Sequence, residues 1–395
     1  MRIRWDQLTS TFVRFVESER ASGGLLLLCS ILGLLAANSA WGPQYAHLWE
    51  REMLGLRLEQ WINDGLMAVF FLLIGLELER ELYSGELSDP RRAALPAIAA
   101  LGGMVVPALI HFGLNAATPT QPGAGIPMAT DIAFALGVLA LLGKRVPASL
   151  KVFLVAFAVM DDLGAVLVIA GFYTVDIVPS YLVAAIAVLG ILVVANRRVR
   201  IMALPFYLIG GALMWWLLLR SGVHPTLAGV ALAFAIPYSA RDHDTASPSH
   251  RLEHVLQRPV AYLIVPTFAL ANTGVLLGTE LLAEVGNVNG LGIGLGLIAG
   301  KPIGVAVATL GAVATGRLAL PRDLRWSHIV GAGLLGGIGF TMSIFIANLA
   351  FPASPLLAGA SKVSILLSSV IAGTLGYLWL RFVAPSPLAP SPLRA

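Results

Sequence analysis

SLKVFLVAFAVMDDLGAVLVIAGF, residues 149–172, sets the problem this chain has to solve. The run is long enough to cross a bilayer, which takes about 20 apolar residues at a 1.5 Å rise. Near its centre stand two adjacent acids, Asp161 and Asp162. An ionised side chain at mid-membrane costs about 2.5–3.5 kcal/mol on insertion scales, so two in succession need a physical reason. Helix neighbours point about 100° apart and cannot share one partner. One acid can therefore face a hydrated cavity while the other faces a second helix.

The rest of the chain fits a membrane solvent. Its 395 residues are 57% hydrophobic and only 12% charged, about half the charge of a soluble domain. Mean hydropathy is +0.82. The pattern predicts an all-α, polytopic protein with twelve spans near 23–39, 63–83, 95–115, 125–142, 149–172, 180–196, 203–219, 222–237, 259–278, 288–314, 328–350 and 357–381. Arg2, Arg4, Arg14 and Arg20 precede the first apolar run at a length unlike a signal peptide, so that helix is expected to be retained. With the N-terminus inside, basic residues such as Arg91, Arg92, Lys144, Arg145, Arg197, Arg198, Arg200, Arg317, Arg322 and Arg325 gather on the cytoplasmic side. The outer side holds Arg51, Arg57 and Arg220. The positive-inside rule then places both termini in the cytoplasm.

The net charge of +4 comes from those loops and forms no phosphate-binding stripe, so nucleic acid is not an expected partner. Cys29 alone excludes a disulfide framework or a thiolate metal site. Residues 49–61, WEREMLGLRLEQW, carry charges at short intervals around Gly55 and predict a short outer β-hairpin between spans one and two, an interfacial helix being the other reading. Residues 383–395 are Pro-rich and predict a disordered cytoplasmic tail after a single transporter domain of residues 1–382.

Two more charges lie deep in spans. Asp131 follows Thr130 in span four, between Pro127 and Gly137, and Lys301 precedes Pro302 in span ten. Three acids and one base leave a charge that a bound cation or protons would neutralise; a helix-holding ion pair is the plainer reading. Span eleven contains GAGLLGGIGFT, residues 331–341, whose glycines can unwind within the bilayer or simply allow close helix packing. Unwinding leaves helix ends with partial charges, which Asp131 could neutralise at N-termini and Lys301 at C-termini or by pairing with a carboxylate. TDIAFALG at 130–137 and GGIGFTMS at 336–343 align at Ile132/Ile338 and Phe134/Phe340, an internal similarity between spans that enter from opposite sides. Inverted repeats with discontinuous helices are a common transporter architecture.

TDIAFALG, the DDLGA run, GKPIG, GLELERE, SGVHPTLAG, RLEHVL and GIGFTMSIFIA occur in an order and spacing that resemble the NhaA family, over roughly residues 10–382. The resemblance implies an electrogenic, pH-regulated antiporter that expels sodium or lithium in exchange for protons at the bacterial inner membrane. It implies a homodimer with no cofactor, and a core bundle of spans three to five and ten to twelve beside interface helices. Broken spans four and eleven would cross. Asp162 would be the principal cation and proton carboxylate, with Asp161 and Thr130 beside it in the sodium site; Asp161 would also be paired to, or exchange protons beside, Lys301, and Asp131 would compensate the crossed helices. A cytoplasmic pH-sensing mouth would map to Glu77, Arg80, Glu81, Glu253 and His254, the ordinary alternative being a solvated helix end. Gln257 and Glu79 depart from relatives there, which puts the activation pH in doubt. His224 reads as a hydrogen-bonded structural histidine, and Asp64 as a helix cap.

Rival classes fit less well. A sodium-coupled solute symporter could use the same repeat but needs a polar solute pocket, and mid-span Asn, Gln or Arg are few. Channel filters use repeated rings rather than one carboxylate pair. An intramembrane aspartyl protease also uses two membrane aspartates, but on separate helices, and leaves Lys301 without a role.

Overall fold

Hydrocarbon offers no partner to backbone N–H and C=O groups, so each apolar run must satisfy them within a helix. The computed structural model describes residues 10–174, 176–239, 247–316 and 318–384, and its apolar runs are helical. Helix α1 (Ser10–Ala37) is followed by α2 (Gly42–Glu50), strands β1 (Glu52–Met53) and β2 (Leu56–Arg57), and α3 (Leu58–Tyr83). Next come α4 (Pro90–Asn115), a tight 3₁₀ segment (Gln121–Met128), α5 (Ile132–Leu141), α6 (Ala148–Phe172), α7 (Pro179–Val199), α8 (Leu204–Ser221) and α9 (Leu227–Ala233). The order ends with α10 (248–273), α11 (Thr279–Val285), α12 (Val288–Ala314), α13 (Trp326–Gly336), α14 (Phe340–Ala350) and α15 (Pro355–Phe382).

Among the described residues, 8 helices are long and apolar enough to cross a membrane, or up to 10 if each bent pair is one span. The pairs are α1 with α2, bent by 113°, and α13 with α14, bent by 48°. The expected spans near 222–237 and 259–278 are those that do not qualify. The first contains only the 7-residue α9, about 10 Å of helix. The second belongs to α10, whose first turns carry His250, Arg251, Glu253, His254 and Arg258.

The hairpin forms as the sequence suggested. Glu52 pairs with Arg57 and Met53 with Leu56, antiparallel. Leu54 (φ 55°) and Gly55 (φ 82°) make the two-residue loop, the left-handed pair that a type I′ turn requires. Only glycine takes that conformation freely. The tail expected to be disordered lies, from residue 385, outside the described residues.

The chain divides into two compact units. The first comprises described residues 10–24, 90–165, 277–316 and 318–384, the second residues 25–89, 166–174, 176–239 and 247–276. In the first, α4 and α12 pack backbone to backbone. A Cβ on Gly102 would lie 2.3 Å from the Gly304 carbonyl oxygen, and one on Gly304 would lie 2.1 Å from that of Gly102. Small residues at such crossings are what lets membrane helices gain dispersion contacts without a hydrophobic drive. In the second unit α3 meets α9 the same way, with Gly229 against the Ala68 carbonyl, over a core that includes Leu72, Leu76, Ala233 and Ile236.

Asp64 is not a helix cap. Helix α3 starts at Leu58, directly after β2, so Asp64 lies inside a π-helical turn, Trp61–Leu66. Its carboxylate instead faces His224 Nε2 at 3.5 Å. His224 also hydrogen-bonds through Nδ1 to the Thr226 hydroxyl, 2.7 Å away.

Candidate ion site

Two breaks in helical structure meet inside the first unit. The 3₁₀ segment stops at Met128, and α5 starts only at Ile132, because Pro127 and the extended Ala129 and Asp131 interrupt the ladder. Gly337, Ile338 and Gly339 separate α13, which ends at Gly336, from α14. The gaps are stitched together: Asp131 N–H donates to the Ile338 carbonyl (2.7 Å) and the Thr130 hydroxyl to the Gly336 carbonyl (2.8 Å). Phe134 and Phe340, aligned in the sequence repeat, touch edge to face at 4.7 Å. Thr130 thus bonds its own repeat counterpart.

Four helix ends face inward here, and each carries about half a charge. Asp131 serves two N-termini. Its Oδ1 accepts from Phe134 N–H at the start of α5 (3.1 Å). Its Oδ2 accepts from the Thr341 N–H (3.2 Å) and hydroxyl (2.5 Å) at the start of α14. The C-terminal ends are covered too. Lys301 Nζ donates to the Met128 carbonyl that ends the 3₁₀ segment, and Thr130 covers Gly336 at the end of α13.

Lys301 sits just after a π-helical turn, Gly296–Gly300, where an extra residue in the turn re-aims the side chains beyond it. Two close approaches fix that turn: Gly296 against Pro127, and Gly300 against Pro107. The ammonium reaches Asp161 Oδ2 at 2.6 Å, both side chains being fully buried. The Phe157 ring, one turn earlier on α6, lies 5.8 Å from Nζ. A buried ion pair is secure only when its remaining donors and acceptors are met. Here Lys301 has a second acceptor, whereas Asp161 Oδ1 is buried with no hydrogen-bond partner among the described residues. Asp162 is 2% exposed and acts electrostatically on Lys301. Thr130 flanks Asp161. The arrangement holds two carboxylates, one ammonium, a hydroxyl and unwound backbone carbonyls in one dry place. Oxygen donors of that kind suit a hard cation. Among the described residues, no three His, Cys, Asp or Glu side chains stand close enough to hold a metal, so a cation there would also need hydroxyl, carbonyl or water oxygens.

The second unit gathers the residues expected at a pH-sensing mouth. Arg80 Nε pairs with Glu253 Oε1 at 2.9 Å and Arg80 Nη1 with Glu81 Oε1 at 3.1 Å, and Glu77 also acts electrostatically on Arg80. Burial pushes the Glu253 carboxyl above its ordinary value, against the pull of the Arg80 guanidinium. His254 is exposed. His250 instead lies at the cluster, stacked on Tyr238 at 4.9 Å, hydrogen-bonded through Nδ1 to Ser247 (2.8 Å) and acting electrostatically on Glu253. Glu79 is buried and accepts from the Ser249 hydroxyl at 3.0 Å. Sequence reasoning passed over His250, Ser249, Thr341 and the Met128 carbonyl. The available signal was helical spacing in α10: Ser249, Leu252, Glu253 and Leu256 share an inward face, which turns His254 outward.

Comparison with known proteins agrees over the whole length. The model of the family Na+/H+ antiporter 1 matches residues 13–380. The Na(+)/H(+) antiporter NhaA of Dechloromonas aromatica is 62% identical over 376 residues, 95% of this chain and 97% of that one. That of Cytophaga hutchinsonii is 50% identical over 383 residues, 97% and 98% of the two chains. The solved structure of the sodium proton antiporter MjNhaP1 from Methanocaldococcus jannaschii superposes with a TM-score of 0.50 at 14% identity, covering 94% of this chain and 97% of that one, a likeness of fold. With a family model spanning the helices from α1 to α15 and relatives matched nearly end to end, the chain belongs to the NhaA family of Na+/H+ antiporters.

Proposed function

We propose that this protein exchanges sodium or lithium for protons across a bacterial inner membrane, with both termini cytoplasmic and residues 1–382 acting as one transporter domain. The observation that carries the reading is the fully buried Lys301–Asp161 pair beside Asp162, set against two broken helices. In one state Asp162 and Asp161 are ionised and share a dehydrated cation with Thr130 and nearby oxygens. In the other the cation has left and protons take over the neutralisation. Because cation and protons compete for the same carboxylates, the site is never empty of positive charge when it reorients, and exchange is obligatory. Asp131 and Lys301 hold the helix ends in place throughout. Lys301 is a structural counter-charge in this scheme, since the two carboxylates supply the proton sites between them. More than one proton per sodium then makes the exchange electrogenic.

Glu77, Arg80, Glu81 and Glu253 form a mouth in which the Arg80–Glu253 pair depends on pH, with His250 acting electrostatically on Glu253 and His254 on the same helix. The hairpin at 52–57, with Leu54 and Met53 exposed, supplies a flat edge on which a second copy pairs to form a homodimer. The test is purified protein in proteoliposomes loaded with a pH-sensitive dye. Adding sodium to a preset proton gradient should discharge it, faster when an imposed potential favours the extra proton. A discharge that required an added organic solute would point instead to a symporter.

A further inference from the structure

Helices α12, α13 and α15 enclose a groove of about 660 Å³ in the first unit, and its walls are carbon. Pro302 and Ile303 form one side, Val330 and Leu334 the second, Leu375 and Phe382 the third. Apolar surface turned to hydrocarbon is ordinary in a membrane protein. What distinguishes this groove is its mouth.

Trp379 lines the groove and donates its indole N–H to the Ser327 carbonyl at 2.8 Å. Trp326 and Tyr377 stand close by along α13 and α15. Tryptophan and tyrosine favour the headgroup level of a bilayer, so this end lies at the interface. Arg381 sits there with its guanidinium carbon 5.6 Å from the Phe382 ring that forms the groove wall. It donates one N–H to the Tyr377 hydroxyl at 3.2 Å. Arg145, from the short 3₁₀ turn Gly143–Arg145 that follows α5, donates one N–H to the Arg381 carbonyl at 2.8 Å, which brings a second guanidinium to the same rim. Each arginine has five N–H donors and spends one here. Both are exposed, and among the described residues neither pairs with a carboxylate. Arg325 lies two residues before Ser327 at the same end.

We propose that this groove is a binding site for an anionic phospholipid, one acyl chain lying between α12, α13 and α15 and the phosphate held by Arg381 and Arg145. Charge complementarity selects the occupant. Guanidinium forks match phosphate oxygens bidentately, and clusters of arginine at a helix end attract anionic headgroups. The acyl chain explains why the cationic rim opens onto a carbon-walled slot rather than a flat surface. The site also bears on the ion pair from outside. Pro302 and Ile303 directly follow Lys301, and a Cβ on Gly333 would lie 2.6 Å from Pro302 Cα, so α12 and α13 already touch at this point. A lipid wedged along that seam clamps the segment that carries Lys301.

The full chain in detergent, titrated with phosphatidylglycerol or with phosphatidylethanolamine of the same chains and read by native mass spectrometry, tests this. Phosphatidylglycerol should be retained in preference. The double variant Arg145→Gln/Arg381→Gln should weaken its retention by about thirtyfold, at roughly fivefold per interfacial arginine. Ala306→Trp, which fills the groove and leaves both arginines, should also displace it; inorganic phosphate should not compete. Equal retention of the two lipids would overturn the proposal. So would phosphatidylglycerol retained in the Trp variant, which would reduce the site to surface charge. Binding that appears only after the chain is cut behind Val383 would assign the groove to the chain's own tail and refute lipid occupancy in the intact protein.

Discussion

Lys301→Gln leaves Asp161 in a fully buried place without its ammonium partner. Breaking one side of a buried pair costs about 3–5 kcal/mol. That loss has a ceiling, because a stranded carboxylate can take up a proton. From an unperturbed value near 3.9, protonation at pH 7 costs about 1.36 × 3.1, or roughly 4 kcal/mol, and at pH 5 about 1.5 kcal/mol. The variant should therefore be destabilised strongly at neutral pH and mildly in acid. In detergent this corresponds to a Tm lowered on the order of 10 °C at pH 7 and by roughly a third of that at pH 5, at about 2–4 °C per kcal/mol. Adding Asp161→Asn to Lys301→Gln should recover most of the loss at pH 7, since no charge then remains to be stranded. The assay is thermal unfolding of wild type, both single variants and the double variant at the two pH values. A loss of equal size at both would refute this electrostatic account of the pair, and no loss at all would mean that Lys301 is not held as described. In the same variant, transport that still responds to an imposed potential supports the structural role of the lysine. Exchange that persists but ignores the potential would make Lys301 a proton carrier instead.

Asp131→Ala removes the acceptor shared by the N-termini of α5 and α14, costing about 2–4 kcal/mol in capping and dipole terms; Asp131→Asn should fall between it and wild type by calorimetry. Gly304→Ala would push a Cβ to 2.1 Å from the Gly102 carbonyl and should cost about 1–3 kcal/mol by overpacking, whereas Gly311→Ala, with open space around it, should be neutral or slightly stabilising in the same melt. Glu253 is raised above its ordinary 4.5, so its contribution favours the fold at low pH and is lost as pH rises through its shifted value. Against Glu253→Gln, the wild type's Tm advantage should shrink as pH climbs from that ordinary value, and the activity-versus-pH curve should shift with its maximum kept. Unchanged profiles in both measurements would make the mouth an ordinary solvated helix end.

What could be read in the sequence was what costs energy in a membrane. Asp131, Asp161, Asp162 and Lys301 stood out because each is a charge in an apolar run, and Gly55 stood out because a tight hairpin needs a left-handed residue. The two breaks were readable as glycine and proline inside spans. The partners that complete the site were not. The Met128 carbonyl that receives Lys301 is backbone and leaves no mark in the sequence, and Thr341 reads as one more small polar residue until α14 is seen to begin beside Asp131. His254 drew the eye from His250 because it follows Glu253 directly in the sequence, yet it is His250 that acts electrostatically on Glu253. The helix length of span eight was not legible for a similar reason: the run is apolar, but the turns on either side leave α9 only 7 residues.

The central claim is that the carboxylate of Asp162, beside the Lys301–Asp161 pair, is where cation and proton compete. Isothermal titration of sodium or lithium into wild type and Asp162→Asn, each folded by its melting curve and each assayed for exchange in proteoliposomes, tests it most directly. The account predicts that wild type binds with affinity that weakens as pH falls, and that Asp162→Asn shows neither binding heat nor exchange. Retained, pH-dependent binding together with exchange in Asp162→Asn would contradict it.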